Sequence, residues 1–379
     1  MLQILEKKIN DSHIVWFGQS NKWIQLEEPA WFVNKLHHKG MDIQAISMKC
    51  ARKYNIPINE CKLFAEEVCT EIAELSIPDS GSVTTPSYSN LTTYNSYSPY
   101  STRFYLIRDK CFALNFETQL VEYYIHPSIA HLETELSMKP DVEFEIYNTG
   151  NISVLMEKNR PDTAYTFDDF NRLKKRLFIN MVNTIYKKTN ADWLSFVHAA
   201  AVTDGKQALL LSSASGSGKS SMAALLQTKG LQLVSDDFVP IDAKNKQAHP
   251  FPAAISVKEG SFDLLSPYYG NLHSIRYNKY EHTHSSLRHL TPKYFDNKPL
   301  KPRQIKNIVF IRYNPRVSCN FENVPSNKAI KLFHEQAWVS DNPIHVKTFL
   351  NWFVKLQCFT LEYGNTEEGI NKLLRLFDK

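Results

Sequence analysis

The sequence predicts an α/β chain, with a mixed-sheet core in its C-terminal half and a smaller strand-and-helix domain ahead of it. Two observations carry the core. The apolar run 208–211 meets a small-residue stretch, Ser213-Ala214-Ser215-Gly216-Ser217-Gly218-Lys219-Ser220-Ser221, which continues into the apolar segment 222–226, giving strand, glycine-rich loop and helix in order. A second apolar run, 231–235, follows a Lys229-Gly230 helix stop and ends in Asp236-Asp237. The other domain shows as a strand pair at 13–18 and 22–26 around Gln19-Ser20-Asn21, followed by three amphipathic segments.

The loop has a mechanism behind it. Small residues let successive backbone N–H groups turn inward on an anion, and the helix that follows aims its positive end at the same place. On this reading residues 213–221 cradle nucleotide phosphates. Lys219 supplies a mobile cation for the outer phosphates, and Ser220 a hydroxyl for Mg²⁺. Ser213 stands where such loops usually carry their first glycine. Strand ends beside a phosphate loop are where a carboxylate reaches the metal or the attacking nucleophile. Two adjacent carboxylates suit two tasks: metal binding and acceptance of a hydroxyl proton. Upstream, 196–202 reads as one strand that turns through Thr203-Asp204-Gly205-Lys206 into the loop strand, with His198 at the base of the hairpin.

In this order, His198-Ala199-Ala200-Ala201-Val202, Ser215-Gly216-Ser217-Gly218-Lys219-Ser220 and Leu233-Val234-Ser235-Asp236-Asp237 resemble the HPr kinase/phosphorylase family. Its relatives include the ATP-dependent phosphoenolpyruvate carboxykinases. More closely, the chain is similar to the HPr-kinase-related kinases found with peptide-modification systems. The resemblance covers residues 190–378. It implies a P-loop, HPr kinase/PEP carboxykinase-like mixed sheet, ATP and Mg²⁺ as cofactors, and γ-phosphoryl transfer to a serine-type hydroxyl. By position it makes Asp236 the base, Asp237 the metal contact alongside Ser220, and His198 a supporting residue; the order within the Asp pair is open to reversal.

Downstream, 251–260 resembles the family's proline-bearing strand. Lys258 or Glu259 takes the place of a Glu-x-Arg-Gly segment, with a surface charge pair as the competing account. Lys301-Pro302-Arg303-Gln304-Ile305-Lys306-Asn307, ahead of a strand at 308–311, resembles the family's Arg-Pro-Gly-Arg-Asn stretch. Arg303 is thereby the candidate cation at the transferring phosphoryl group, against the alternative of a solvated basic loop.

In the N-terminal part, Pro29 opens a helix at 29–36 and Asp42 caps another at 42–54. Leu63, Phe64, Val68, Ile72 and Leu75 form one stripe of a third at 59–75. A strand pair with three helices is the layout of a winged helix-turn-helix. The stretch resembles the PqqD-like peptide chaperones, which implies that residues 1–76 hold a leader peptide by strand addition. A DNA-binding winged helix is the rival, with Lys49, Arg52 and Lys53 on its recognition helix. The acidic run of Glu60, Glu66, Glu67, Glu71 and Glu74 argues against it, and no nucleic-acid partner is expected.

Residues 77–102, rich in Ser, Thr, Tyr, Pro and Asn, read as a linker. A β-rich lead-in over 103–189 follows, with strand-like runs at 104–107, 111–114, 121–124, 142–146 and 152–156. Its basic helix at 167–186 carries Arg172, Lys174, Lys175 and Arg176, read as a solvated face, with packing on the core or presentation to an acidic partner as the alternatives. Residues 190–379 complete the core, with closing helices at 329–336, 347–355 and 372–377.

A length of 379 residues fits two or three domains at ~150 residues each. The net charge of +5 is mild: it helps attract an anionic nucleotide without marking a nucleic-acid binder. Six cysteines without metal-type spacing read as reduced thiols. No apolar window is long enough to span a bilayer, so a cytoplasmic protein with no membrane partner is expected. The expected function is an ATP-dependent kinase that phosphorylates a Ser or Thr hydroxyl of a peptide or protein, in first place a ribosomally made precursor peptide held by the N-terminal domain. A small-molecule or protein kinase without peptide docking is one alternative. A non-catalytic, nucleotide-binding peptide chaperone is the other, and a homo-oligomer is left open.

Overall fold

The computed structural model describes residues 4–77, 98–135, 139–149, 152–280, 285–293 and 300–378. Most of the expected linker lies outside them, and Ser101 already opens a strand. Within the described residues the chain is mixed α/β, with ten α-helices, and it divides into two compact units. No helix among them is long and apolar enough to cross a membrane.

The first unit joins the N-terminal residues to 324–335 and 339–358. Strands Ile4–Ile9, Ser12–Phe17 and Lys22–Glu27 form an antiparallel meander in which Trp16 pairs with Trp23. Helices Glu28–His37, Ile43–Tyr54 and Ile58–Ser76 follow. The Asp42 carboxylate caps the second by accepting from the Ala45 N–H at 2.7 Å, and Asn55 ends it in the left-handed conformation. Val15, Phe17, Val33, Ile46, Ala65 and Ile72 fill the core between sheet and helices. The strand pair and the three helices lie where the sequence puts them. The first strand was not expected, because Glu6, Lys7 and Lys8 interrupt its apolar pattern. Helices Ser326–His334 and Pro343–Phe353, expected to close the core, belong instead to this unit, where Trp23 packs against His334 and Phe349.

The second unit is built on a mixed sheet. Its strands run in the order Gln232–Ser235, Ala199–Thr203, Gln207–Ser212, Arg303–Tyr313, Gln247–Ala248, Val239–Asp242 and Trp193–Val197. Ala199–Thr203 is antiparallel to both of its neighbours, with Ala199 opposite Ser212 and Ala201 opposite Ser235. Its beginning therefore lies beside the ends of both, and one sheet edge gathers the segments on which the site depends. Helix Lys219–Thr228 covers this part of the sheet, burying Met222, Leu225 and Leu226 against Val202, Leu209 and Leu211.

A six-stranded sheet, which includes Ser101–Ile107, Lys110–Phe116 and Val142–Thr149, carries helix Phe170–Tyr186 through Leu173, Leu177 and Met181. Two expectations are corrected here. Residues 121–124 belong to helix Gln119–Ile125, started by the Thr118 hydroxyl, which accepts from the Val121 N–H, and anchored by Val121 and Ile125 one turn apart. The single strand expected over 196–202 is two strands broken at His198, because 193–197 pairs with 239–242 while 199–203 pairs with 207–212.

Candidate active site

Gly216 and Gly218 hold φ angles of 86° and 100°, which bend the loop between strand Gln207–Ser212 and helix Lys219–Thr228. Gly218 is doubly required, since a Cβ there would lie 2.7 Å from the Tyr363 hydroxyl. The loop is braced from within. Ser217 donates its hydroxyl to the Ala214 carbonyl at 2.6 Å, shares a hydrogen bond with Ser213, and accepts at its carbonyl from the Tyr313 N–H at 3.1 Å. The serine at 213 is thus part of the brace. Lys219 is buried at 4 % exposure, and its ammonium donates to the Ser213 and Ala214 carbonyls at 2.8 and 3.3 Å. Burial pushes its pKa down, and the charges of Asp237 and Asp236 oppose that.

The two aspartates turn in different directions. Asp236, 2 % exposed, accepts from the Ser220 hydroxyl at 3.1 Å and from the Ser256 N–H at 3.2 Å. Burial first, and the Asp237 charge second, push its carboxyl well above the ordinary carboxylate range. Asp237 sits at φ 60°, with Oδ1 3.4 Å from Nε2 of His198. Loss of solvent opposes its ionisation but is outweighed by the His198 hydrogen bond and the positive charges of Lys219 and Lys174, so its carboxyl is held low. Ser220 thus hydrogen-bonds Asp236, whereas Asp237 meets His198. The break in the strand at His198 frees that imidazole, while its backbone N–H is tied to the Gln336 carbonyl at 2.8 Å.

These groups converge on one cavity of about 530 Å³, within the range of small-molecule sites. Ser215, Gly216, Gly218, Lys219, Ser220 and Ser221 line it. Both aspartates and His198 join them. Ser213, Ala214 and Ser217 are not on its surface; they brace the loop from behind. Of the two residues weighed at 258 and 259, the cavity takes Lys258, whose ammonium donates to the Ser215 hydroxyl at 3.1 Å. Glu259 accepts instead from the Tyr277 hydroxyl.

Arg303 is not at this site. Its strand begins at 303, five positions before the expected start, and runs parallel to the loop strand with Gln304 opposite Gln207 and Phe310 opposite Ser212. The cradle lies at the Phe310 end, so Arg303 is about 23 Å away at ~3.3 Å per residue. Its guanidinium donates to the Pro302 carbonyl. In its place the cavity receives Lys174, from the helix read as a solvated face. The signal for it was helical spacing: Asn171, Lys174, Lys175 and Phe178 share one face.

Among the described residues no cluster of three His, Cys, Asp or Glu forms a metal cage. A hydroxyl beside a buried, underprotected carboxyl does suit Mg²⁺, which takes one or two protein oxygens and fills its octahedron with phosphate and water. No protein-family model matches the chain, and no curated protein matches it.

Proposed function

We propose that the chain is a kinase that binds Mg²⁺–ATP in the 213–221 cradle and transfers the γ-phosphoryl group to a Ser or Thr hydroxyl of a peptide or protein. The observation that carries this is the Ser220 hydroxyl lying 3.1 Å from the buried Asp236 carboxyl at the start of a helix entered through two left-handed glycines. Resemblance to the HPr kinase family gives the same answer from sequence.

Geometry favours the reversed order of the aspartates. Ser220 and Asp236 would hold Mg²⁺, which supplies charge neutralisation between the phosphates. Asp237, kept ionised and oriented by His198, accepts the proton of the attacking hydroxyl. The hydroxyl oxygen bonds to the γ-phosphorus, the bond to the β-phosphate oxygen breaks, and ADP leaves. Lys219, released from the Ser213 and Ala214 carbonyls, meets the outer phosphates together with Lys258.

The N-terminal unit fits peptide docking in a PqqD-like, winged-helix manner. Among the described residues, the outer edges of Ile4–Ile9 and Lys22–Glu27 have no strand partner, and an unpaired edge is what strand addition needs. Tethering a precursor in this way raises the effective concentration of its acceptor to about millimolar.

The test is incubation with ATP and Ser- or Thr-containing peptides, read by mass spectrometry. Wild type is expected to phosphorylate a peptide, and Lys219→Ala and Asp237→Asn each to lose on the order of 10³-fold in rate. Undiminished transfer in either variant, or none in wild type, overturns the assignment.

A further inference from the structure

Helix Phe170–Tyr186 supplies a second wall of the cavity, through Asn171, Lys174, Lys175 and Phe178. Its arginines are committed elsewhere. Arg172 pairs with Asp168 at 3.1 Å, and Arg176 lies 3.8 Å over the Tyr165 ring and hydrogen-bonds its hydroxyl. Lys174 and Lys175 line the cavity with no hydrogen bond or ion pair among the described residues. Beside them the rings of Tyr124 and Phe170 stack at 4.7 Å. Lys174 is half-buried and Lys175 exposed, and two neighbouring ammonium groups at the cavity repel one another unless an anion arrives.

Asp237 lines the same cavity as Lys219 of the cradle and Lys174 and Lys175 of the helix. The triphosphate's charge is met on the cradle side by Lys219, Lys258 and the metal pair. An acceptor whose hydroxyl reaches Asp237 from the other side therefore lies against Lys174 and Lys175. We propose that this wall is an anion subsite of the acceptor, so that the preferred substrate carries a carboxylate or phosphate group close to the hydroxyl it offers. The proposal rests on the kinase assignment of the same cavity and names its substrate class.

The probes are one serine-terminated pentapeptide as free carboxylate, as neutral amide, and as an amide with phosphoserine preceding the terminal serine. Calorimetry on the full chain loaded with Mg²⁺ and a non-hydrolysable ATP analogue should find an anionic form at least about tenfold tighter than the neutral amide. Whichever anionic form wins identifies the source of the charge. The Lys174→Gln, Lys175→Gln double variant should reduce the preference to about twofold or less, with the acceptor KM raised, while Lys174→Arg with Lys175→Arg restores it. Equal affinity for neutral and anionic forms in wild type overturns the proposal, as does an undiminished preference in the Gln variant. A loss confined to kcat also overturns it, since the lysines would then serve the transferring phosphoryl group. If wild type fails to bind nucleotide, the kinase assignment fails instead, and the same peptides on the nucleotide-free chain still decide the wall.

Discussion

Two buried aspartates in one sheet have been treated in opposite ways. Asp242, 1 % exposed, ends strand Val239–Asp242 and accepts from the Gln247 and Asn245 N–H groups at 2.9 and 3.0 Å, with His249 at 3.7 Å and Lys188 at 4.0 Å. Burial would raise its pKa, but the His249 contact and the two backbone donors outweigh it and pull the carboxyl down to about 2. Asp236 is as deeply buried, yet it has one hydroxyl, one N–H and a neighbouring carboxylate, and its pKa goes up. Burial opposes ionisation at both; at Asp242 the His249 contact and the backbone donors outweigh it, whereas at Asp236 the donors are fewer and the Asp237 charge adds to it. A carboxylate whose donors are complete holds a turn together. One left short has room for a cation that its ligand brings.

The largest expected effect breaks that comparison if it fails. Asp236→Asn should lower phosphoryl transfer on the order of 10³-fold, equivalent to about 4 kcal/mol, while stability stays level or rises by up to about 1 kcal/mol. Transfer rates and urea midpoints measure the two halves. Next comes Asp242→Ala, which strips the partners of a saturated carboxylate and should cost about 3–4 kcal/mol in chemical denaturation. A near-neutral result there would mean that the donors are not stabilising.

Acid sharpens the same contrast. The folded pKa of Asp242, about 2, lies below the ordinary 3.8, so the folded state binds fewer protons. Its stabilisation, up to about 2 kcal/mol, is present above pH ~4 and is lost as pH falls toward 2. Asp242→Asn should flatten that part of the stability–pH curve. Smaller still, Gly218→Ala should cost about 1–2 kcal/mol from its left-handed backbone and the Tyr363 hydroxyl, and the Tyr363→Phe background should recover the steric share.

The strand–loop–helix order at 207–228 was legible because its signals are local: glycine conformations, a strand before and a helix after. The caps at Asp42 and the three N-terminal helices were legible for the same reason. What failed was long-range. Arg303 was misplaced because apolarity marks a strand's interior and not its start, and five additional paired residues carry it to the far end of the sheet. Val121, Tyr123 and Tyr124 have strand propensity, but a Thr118 cap and burial at Val121 and Ile125 decide for helix. Lys174 looked solvated because the sheet beneath its helix determines which face turns to the cavity. The recruitment of 324–335 and 339–358 to the N-terminal unit depends on contacts hundreds of positions apart, such as Trp23 with Phe349, which no local pattern announces.

The most direct measurement is the affinity of a non-hydrolysable ATP analogue with and without Mg²⁺, in wild type and in Asp236→Asn. Mg²⁺ should tighten binding to wild type by about tenfold or more and leave the variant within about twofold of its metal-free value. Wild-type affinity that ignores Mg²⁺, or a variant that responds to it as wild type does, would contradict the pairing of Ser220 with Asp236 as a metal site.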